Sequence, residues 1–274
     1  MTTTRYLPDR GLTARMGLTM FLLGLLYVVL CVALFVLLGG STGGLVLAVV
    51  ISGALLVGQW YFSDRMALSA MRGRVVTPEE APQLHAVVDR LCALADMPKP
   101  RVAIADVELP NAFATGRSPS RAVVCATTGL MRRVDERELE AVLAHELSHV
   151  AHRDVTVMTV ASFVAVLAGF MTRSLAWGGL MGGGRRGGRD NNGAVVLLVV
   201  MLVSIVVYAI SYLLIRALSR YRELAADRAG AFLTGQPSTL ASALVKITGE
   251  MGRIPTRDLR AAEAYNAFFF APAV

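Results

Sequence analysis

Cysteine is scarce in this chain, with three in 274 residues and no Cys-x-x-Cys pair. Cys31, Cys92 and Cys125 are scattered, which excludes a cysteine zinc site and a disulfide scaffold and fits a reducing compartment. Charge is sparse too, at 17% of residues. The balance is basic, with a formal net charge of +7. Even so, the arginines form no single stripe with interleaved aromatics, so nucleic-acid binding is not indicated. They flank apolar runs instead. Within those runs ionisable side chains are nearly absent apart from Arg173. That argues against a channel or transporter, whose pathways such groups mark.

Apolar residues are abundant. They make up 55% of the chain, and the mean hydropathy is +0.56, too apolar for an ordinary soluble domain. Two runs come early, at 16–38 and 45–62, separated only by the Gly-rich stretch 39–44. Each is about long enough to cross a ~30 Å hydrocarbon core at about 1.5 Å per residue. They read as a transmembrane hairpin. A signal peptide is disfavoured for the first, which is long, lacks a small-x-small cleavage site and is followed at once by a second span. Two more runs, 155–180 and 194–218, are joined by a low-complexity Gly/Arg-rich loop, 178–193. These two either span or are long helices only partly in lipid; with spanning favoured, about four transmembrane helices are expected.

Arg5, Arg10 and Arg15 precede the first run, Arg65, Arg72 and Arg74 follow the second, and Arg216, Arg220 and Arg222 close the fourth. The positive-inside rule makes these flanks cytoplasmic. Arg185, Arg186 and Arg189 argue the other way and are outvoted. The expected division is a cytoplasmic tail 1–15, a hairpin 16–62, a first soluble part 63–154, a second apolar pair 155–218, and a second soluble part 219–274.

The chemistry centres on His145-Glu146-Leu147-Ser148-His149. On a helix, positions four apart share a face, so two imidazoles can grip one zinc ion. Glu146 is placed to act as a base on metal-bound water. The helical context is explicit: Asp135 is a candidate N-cap with Glu138 three residues on, and Leu139, Val142, Leu143 and Val150 recur at helical spacing.

Before it, Thr77-Pro-Glu-Glu80 predicts a helix start, followed by Leu84, Val87, Val88, Leu91 and Leu94 at helical spacing. His85 on that helix reads as structural. Short extended stretches are predicted at 101–106, 111–116 and 121–127, the last two forming a hairpin. Such a sheet is either plain core or offers an edge strand to an extended peptide.

Two histidines leave the metal short of a third protein ligand. His152 lies too far along the axis to join them easily. Glu223 and Asp227, four apart beyond the fourth run, are better placed. Glu223 can complete the site, and Asp227 can hold the second ring N–H of a ligating histidine. Arg220, Tyr221, Arg222 and Asn111 lie near these motifs as possible oxyanion donors, and spacing singles out none.

Taken together, these pieces resemble the HtpX-type membrane zinc metalloproteases, related to the CAAX prenyl proteases. The matching residues are the amino-terminal hairpin, Pro82-Gln-Leu84, Pro110-Asn-Ala-Phe-Ala-Thr-Gly116, the zinc-motif helix ending in Arg153-Asp154, the second apolar pair, and Ser219-Arg-Tyr-Arg-Glu-Leu-Ala-Ala-Asp227. The resemblance implies one zinc per chain on His145, His149 and Glu223, with Glu146 as general base. It also implies a substrate-binding edge along Asn111, Ala112, Phe113 and Ala114. The expected fold is α+β, mainly α, with a zincin-like domain and a small sheet on an integral membrane protein. By the same resemblance the site faces the cytoplasm from the cell membrane, and the substrates are unfolded or membrane proteins undergoing quality control. Family members continue past Phe268-Phe-Phe270 into a further tail, so the chain reads as truncated there. The competing readings are a zinc-binding membrane scaffold without turnover, against which the intact Glu146 weighs, and another hydrolase using the same ligands.

Overall fold

A computed structural model describes residues 9–37, 41–116, 118–182 and 191–251. The first eight residues, 183–190 of the Gly/Arg-rich loop and the stretch around Phe268 lie outside the described residues. In chain order the elements are α1 (Arg10–Leu37), α2 (Thr42–Ala70), β1 (Gly73–Val75), α3 (Pro82–Ala95), β2 (Arg101–Ala105), β3 (Ala112–Thr115), β4 (Val123–Thr127), α4 (Thr128–Met131), α5 (Glu136–Ala151), α6 (Asp154–Gly182), α7 (Asn191–Thr234) and α8 (Pro237–Met251). The fold is mainly helical with a small mixed sheet.

The chain divides into two units. An apolar unit comprises Arg10–Trp60 and Val157–Tyr221; a sheet-bearing unit comprises Met1–Asp9, Tyr61–Thr156 and Arg222–Val274. In the apolar unit the usual polarity is inverted. Leu18, Phe21, Leu25 and Val28 of α1 and Leu198, Leu202 and Leu213 of α7 are exposed. A narrower buried seam joins Leu23, Leu30, Ala161, Val164, Ala168, Val200 and Val207. Outward apolar faces of this extent suit a lipid solvent. Polar side chains tie the helices from within: the Tyr27 hydroxyl lies 2.7 Å from Ser52 Oγ, and Gln59 donates to Ser162 at 3.3 Å.

Among the described residues three helices are long and apolar enough to cross a membrane, at Arg10–Leu37, Thr156–Ala176 and Gly193–Thr234. The expected second run folds within α2 and is not one of the three. The 44 residues of α7 make a rod of about 66 Å, roughly twice a bilayer core, so the helix continues well past its apolar run.

The sheet-bearing unit is built around a four-stranded sheet of order β1-β2-β4-β3. β2 and β4 run parallel, and β1 and β3 pair antiparallel on the outside. This leaves β3 as an edge strand, and the predicted hairpin is its pairing with β4. The strands alternate in burial. Val102, Val124 and Ala126 pack with Val87, Val88 and Leu91 of α3 and Leu143 and Leu147 of α5, while Ala103, Ala105, Phe113, Val123 and Cys125 form a second cluster with Met71.

One predicted boundary moves. Helix α3 starts at Pro82, not at Thr77. The Thr77–Glu80 signals are spent on a separate turn, in which the Glu80 carboxylate accepts from the Thr77 N–H at 2.8 Å. Pro82 disfavours the helical region for Ala81, whose ψ is 63°, and so breaks the turn from the helix. His85 is buried with Nε2 3.1 Å from the Val76 carbonyl, a structural role as expected.

The start of α5 follows the sequence reading. The Asp135 side chain accepts from the Glu138 N–H at 2.9 Å, and Glu138 returns the bond to the Asp135 N–H at 3.0 Å. Glu138 is buried and also receives Ser242 at 2.8 Å and Lys246 at 2.7 Å from α8. Burial alone would raise its carboxyl, but Lys246, the Asp135 N–H and Ser242 outweigh it and hold it below its ordinary value. A depressed folded value adds stability that is complete above the unfolded carboxyl value, about 4.3, and is lost as pH falls through the folded one. Glu138→Gln is therefore expected to cost about 1–3 kcal/mol at neutral pH. The gap from wild type in thermal unfolding should close on acidification through the carboxyl range, and a gap that does not change with pH would rule the charge out.

Candidate metal centre

Four-residue spacing on α5 stacks His145 above His149, with ring centroids 5.0 Å apart and planes at 84°. Both are buried, at 2% and 6% exposure. From α7, Glu223 Oε2 lies 3.3 Å from His145 Nε2 and 3.8 Å from His149 Nε2. The three donor atoms lie within 4.8 Å of one another, so small adjustments of the side chains would bring all three to ~2.0–2.2 Å from a single ion. The remaining ring nitrogens face carboxylates. His145 Nδ1 is 2.9 Å from Asp227 Oδ1, as the spacing of Glu223 and Asp227 suggested. His149 Nδ1 is 2.8 Å from Asp154 Oδ2. With Nδ1 so engaged, each imidazole presents Nε2 to the ion, the tautomer a metal requires. The donor set of two imidazoles and one carboxylate thus fits a divalent transition ion such as zinc.

Sequence reasoning missed the role of Asp154. It was visible only as part of Arg153-Asp154 after the motif. What brings it back onto His149 is the Arg153 backbone, left-handed at φ 59°, which breaks α5 from α6 and starts the latter at Asp154. Asp154 is 1% exposed and also pairs with Arg222 Nε at 3.2 Å. Removing an outer partner of a metal ligand costs 10–100-fold in affinity. Asp154→Asn is thus expected to weaken zinc binding by about 10–100-fold in a competition titration, with fold retained; an unchanged affinity would deny it a part in the site.

Gly230 was also not foreseen. A Cβ there would come within 3.1 Å of His145 N and 3.3 Å of its Cα, so the bare backbone lets α7 cross close to α5 where Asp227 and Glu223 must reach.

Glu146 is buried, and its Oε2 accepts from the Ala114 N–H of β3 at 3.1 Å. Burial raises its carboxyl, opposed by both histidines. Burial would lower His145, but Asp227, Glu223 and the Glu146 charge override it and hold the metal-free ring at about 9. His149 is raised likewise, against its burial, chiefly by Asp154. Burial pushes the Cys92 thiol up to about 11 and Cys125 to about 12, and among the described residues neither belongs to the metal-binding cluster. His152 turns Nδ1 to the Ser148 carbonyl at 2.9 Å and stands outside the cluster.

The β3–β4 register puts Asn111 opposite Thr127, with Thr127 N donating to the Asn111 carbonyl at 2.9 Å. By antiparallel alternation the backbone groups of Ala112 and Ala114 face away from β4, and Ala114 N accordingly points to Glu146. The Phe113 ring is buried in the Met71 cluster, and Asn111 is 1% exposed. It is therefore the backbone of β3 that lies beside Glu146. Of the possible oxyanion donors, Arg222 is engaged by Asp154, Tyr221 carries the Arg15 guanidinium 3.9 Å above its ring centroid, and Arg220 is exposed.

Comparison with known proteins follows this geometry. The family model described as Peptidase family M48 matches residues 78–271. Protease HtpX homolog 1 of Streptomyces coelicolor is 62% identical over 270 residues, covering 98% of this chain and 86% of that protein. Protease HtpX homolog of Moorella thermoacetica is 57% identical, covering 97% and 87%. Protease HtpX homolog of Pyrococcus furiosus is 42% identical, covering 93% and 85%. No solved structure matches.

Proposed function

The chain belongs to peptidase family M48, a metalloprotease of the HtpX type with membrane-crossing helices, and from that premise we propose that it is a zinc-dependent endopeptidase of the membrane. The observation that carries the reading is the convergence of His145 Nε2, His149 Nε2 and Glu223 Oε2, with Glu146 beside an open strand edge. One zinc ion held there would supply Lewis acidity toward water and the scissile carbonyl.

The protein's own groups do the rest. Glu146 takes a proton from the attacking water and gives it to the leaving amine. An extended substrate adds as a further strand along Ala112–Thr115, its backbone meeting the outward groups of Ala112 and the Ala114 carbonyl, with Asn111 at the start of that edge. Edge pairing reads main chain more than side chains, which suits unfolded or membrane-protein substrates and a role in quality control. Asp227 and Asp154 fix the two ring tautomers, and the latter is itself held by Arg222.

We place α2 as a fourth crossing beside α1, α6 and α7. The zinc-motif helix and Glu223 must meet on one side of the bilayer, so the chain between them crosses an even number of times, and α6 and α7 provide two. The arginine flanks put that side in the cytoplasm of a multi-pass protein of the cell membrane.

The reading is tested by metal removal. The detergent-purified full chain is expected to cleave unfolded casein, to stop when chelated, and to recover with about one equivalent of zinc per chain. Cleavage that survives chelation would overturn it; one bound zinc without cleavage would favour a scaffold role.

A further inference from the structure

The apolar unit holds Arg10, Arg15, Arg173, Arg216 and Arg220, yet among its described residues there is no aspartate or glutamate. Among the described residues, its cations therefore have no counter-charge of their own unit. Three of them lie about the end of the apolar run of α7, two on that helix and one resting on its Tyr221. Arg216 and Arg220, four apart, share a helix face, and both are exposed. Arg15 of α1 is exposed too, and its guanidinium lies 3.9 Å from the centroid of the Tyr221 ring, next to Arg220 in sequence. Arg216 Nη1 donates to the Tyr212 hydroxyl at 3.3 Å, which steadies it on the same stretch. Arg216 and Arg220 straddle the end of the apolar run of α7, at Leu218. Within the run the exposed large side chains are Leu, Val and Ile with Tyr208; beside the arginines Tyr212 and Tyr221 are 50% and 41% exposed. Amphipathic rings of this kind sit at the headgroup level of a bilayer.

We propose that Arg15, Arg216 and Arg220 bind the phosphate headgroup of an anionic phospholipid. Guanidinium forks match phosphate oxygens, and basic residues immediately beside a membrane span attract anionic lipid. A zwitterionic lipid offers the same phosphate with a compensating cation, so the site discriminates by net charge. The inference rests on the membrane-spanning reading and is independent of peptide hydrolysis.

The test uses the full chain exchanged into bilayer discs of phosphatidylcholine with and without phosphatidylglycerol, then extracted and weighed intact by native mass spectrometry. Wild-type protein is expected to retain phosphatidylglycerol over phosphatidylcholine, and Arg15→Gln with Arg216→Gln to lose that preference several-fold. Arg15→Lys with Arg216→Lys, which keeps both charges, should retain more than the glutamine pair. Equal retention of the two lipids by wild type, or undiminished phosphatidylglycerol on the glutamine pair, would overturn the proposal. Thermal unfolding in lipid-free zwitterionic micelles separates lost binding from lost fold. If the pair unfolds, Arg216→Gln alone carries the comparison, since among the described residues the Arg216 side chain is tied only to Tyr212.

Discussion

Glu146→Gln is expected to keep its zinc and to lose casein cleavage by about 10²–10⁴-fold, the usual worth of a general base, or about 3–5 kcal/mol in the barrier. The separation follows from where Glu146 stands. It is not one of the three converging donors, so the metal loses nothing directly. Glutamine is isosteric and its amide oxygen can still accept from the Ala114 N–H, so the packing between α5 and β3 is kept. What it lacks is a lone pair basic enough to take a proton from water. Metal content and turnover should be measured on the same preparation. A variant that holds one zinc and cleaves at the wild-type rate would remove Glu146 from the chemistry.

Glu223→Ala is expected to lower zinc affinity by more than about 100-fold, since loss of an outer partner alone costs 10–100-fold. The reason is geometric: Glu223 Oε2 is the atom on which both Nε2 groups converge. Without it, two imidazoles on adjacent turns of α5 are left to hold the ion. The wild-type affinity should itself fall on acidification. The metal-free His145 holds its proton up to about 9, so the metal must displace it at neutral pH. Each proton displaced makes affinity about tenfold weaker per pH unit lowered. Competition with a chromophoric chelator across pH reads both effects, and an unaltered affinity in Glu223→Ala would mean that the third ligand lies elsewhere.

The motif helix was fully legible because its information is local. His145 and His149 are one turn apart, and Asp135 with Glu138 forms the cap that the spacing announces. The long helices were legible from apolar length. Glu223, far along the chain from His149, gained its weight only beside the zinc motif. Asp154 stood in plain view, but its role depends on the left-handed Arg153 backbone, which no local pattern predicts for an arginine. Gly230 is a similar case: its meaning is the 3.1 Å clearance to another helix. The start of α3 was misplaced because Thr77-Pro-Glu-Glu80 carries real cap chemistry, used here for a turn that Pro82 cuts off. β1 is three residues long, too short for alternation to be counted. The 111–114 stretch was legible as a strand edge, but that the Ala114 N–H of this edge meets Glu146 was not, because the contact joins two elements.

The most direct test of the central claim is zinc K-edge absorption of the zinc-loaded full chain, read beside its metal stoichiometry. The account predicts one zinc per chain, two imidazole nitrogens at about 2.0–2.1 Å, carboxylate oxygen at about 2.0–2.2 Å, and no sulfur. A sulfur shell near 2.3 Å, or a spectrum unchanged when His149 is replaced by alanine, would contradict it.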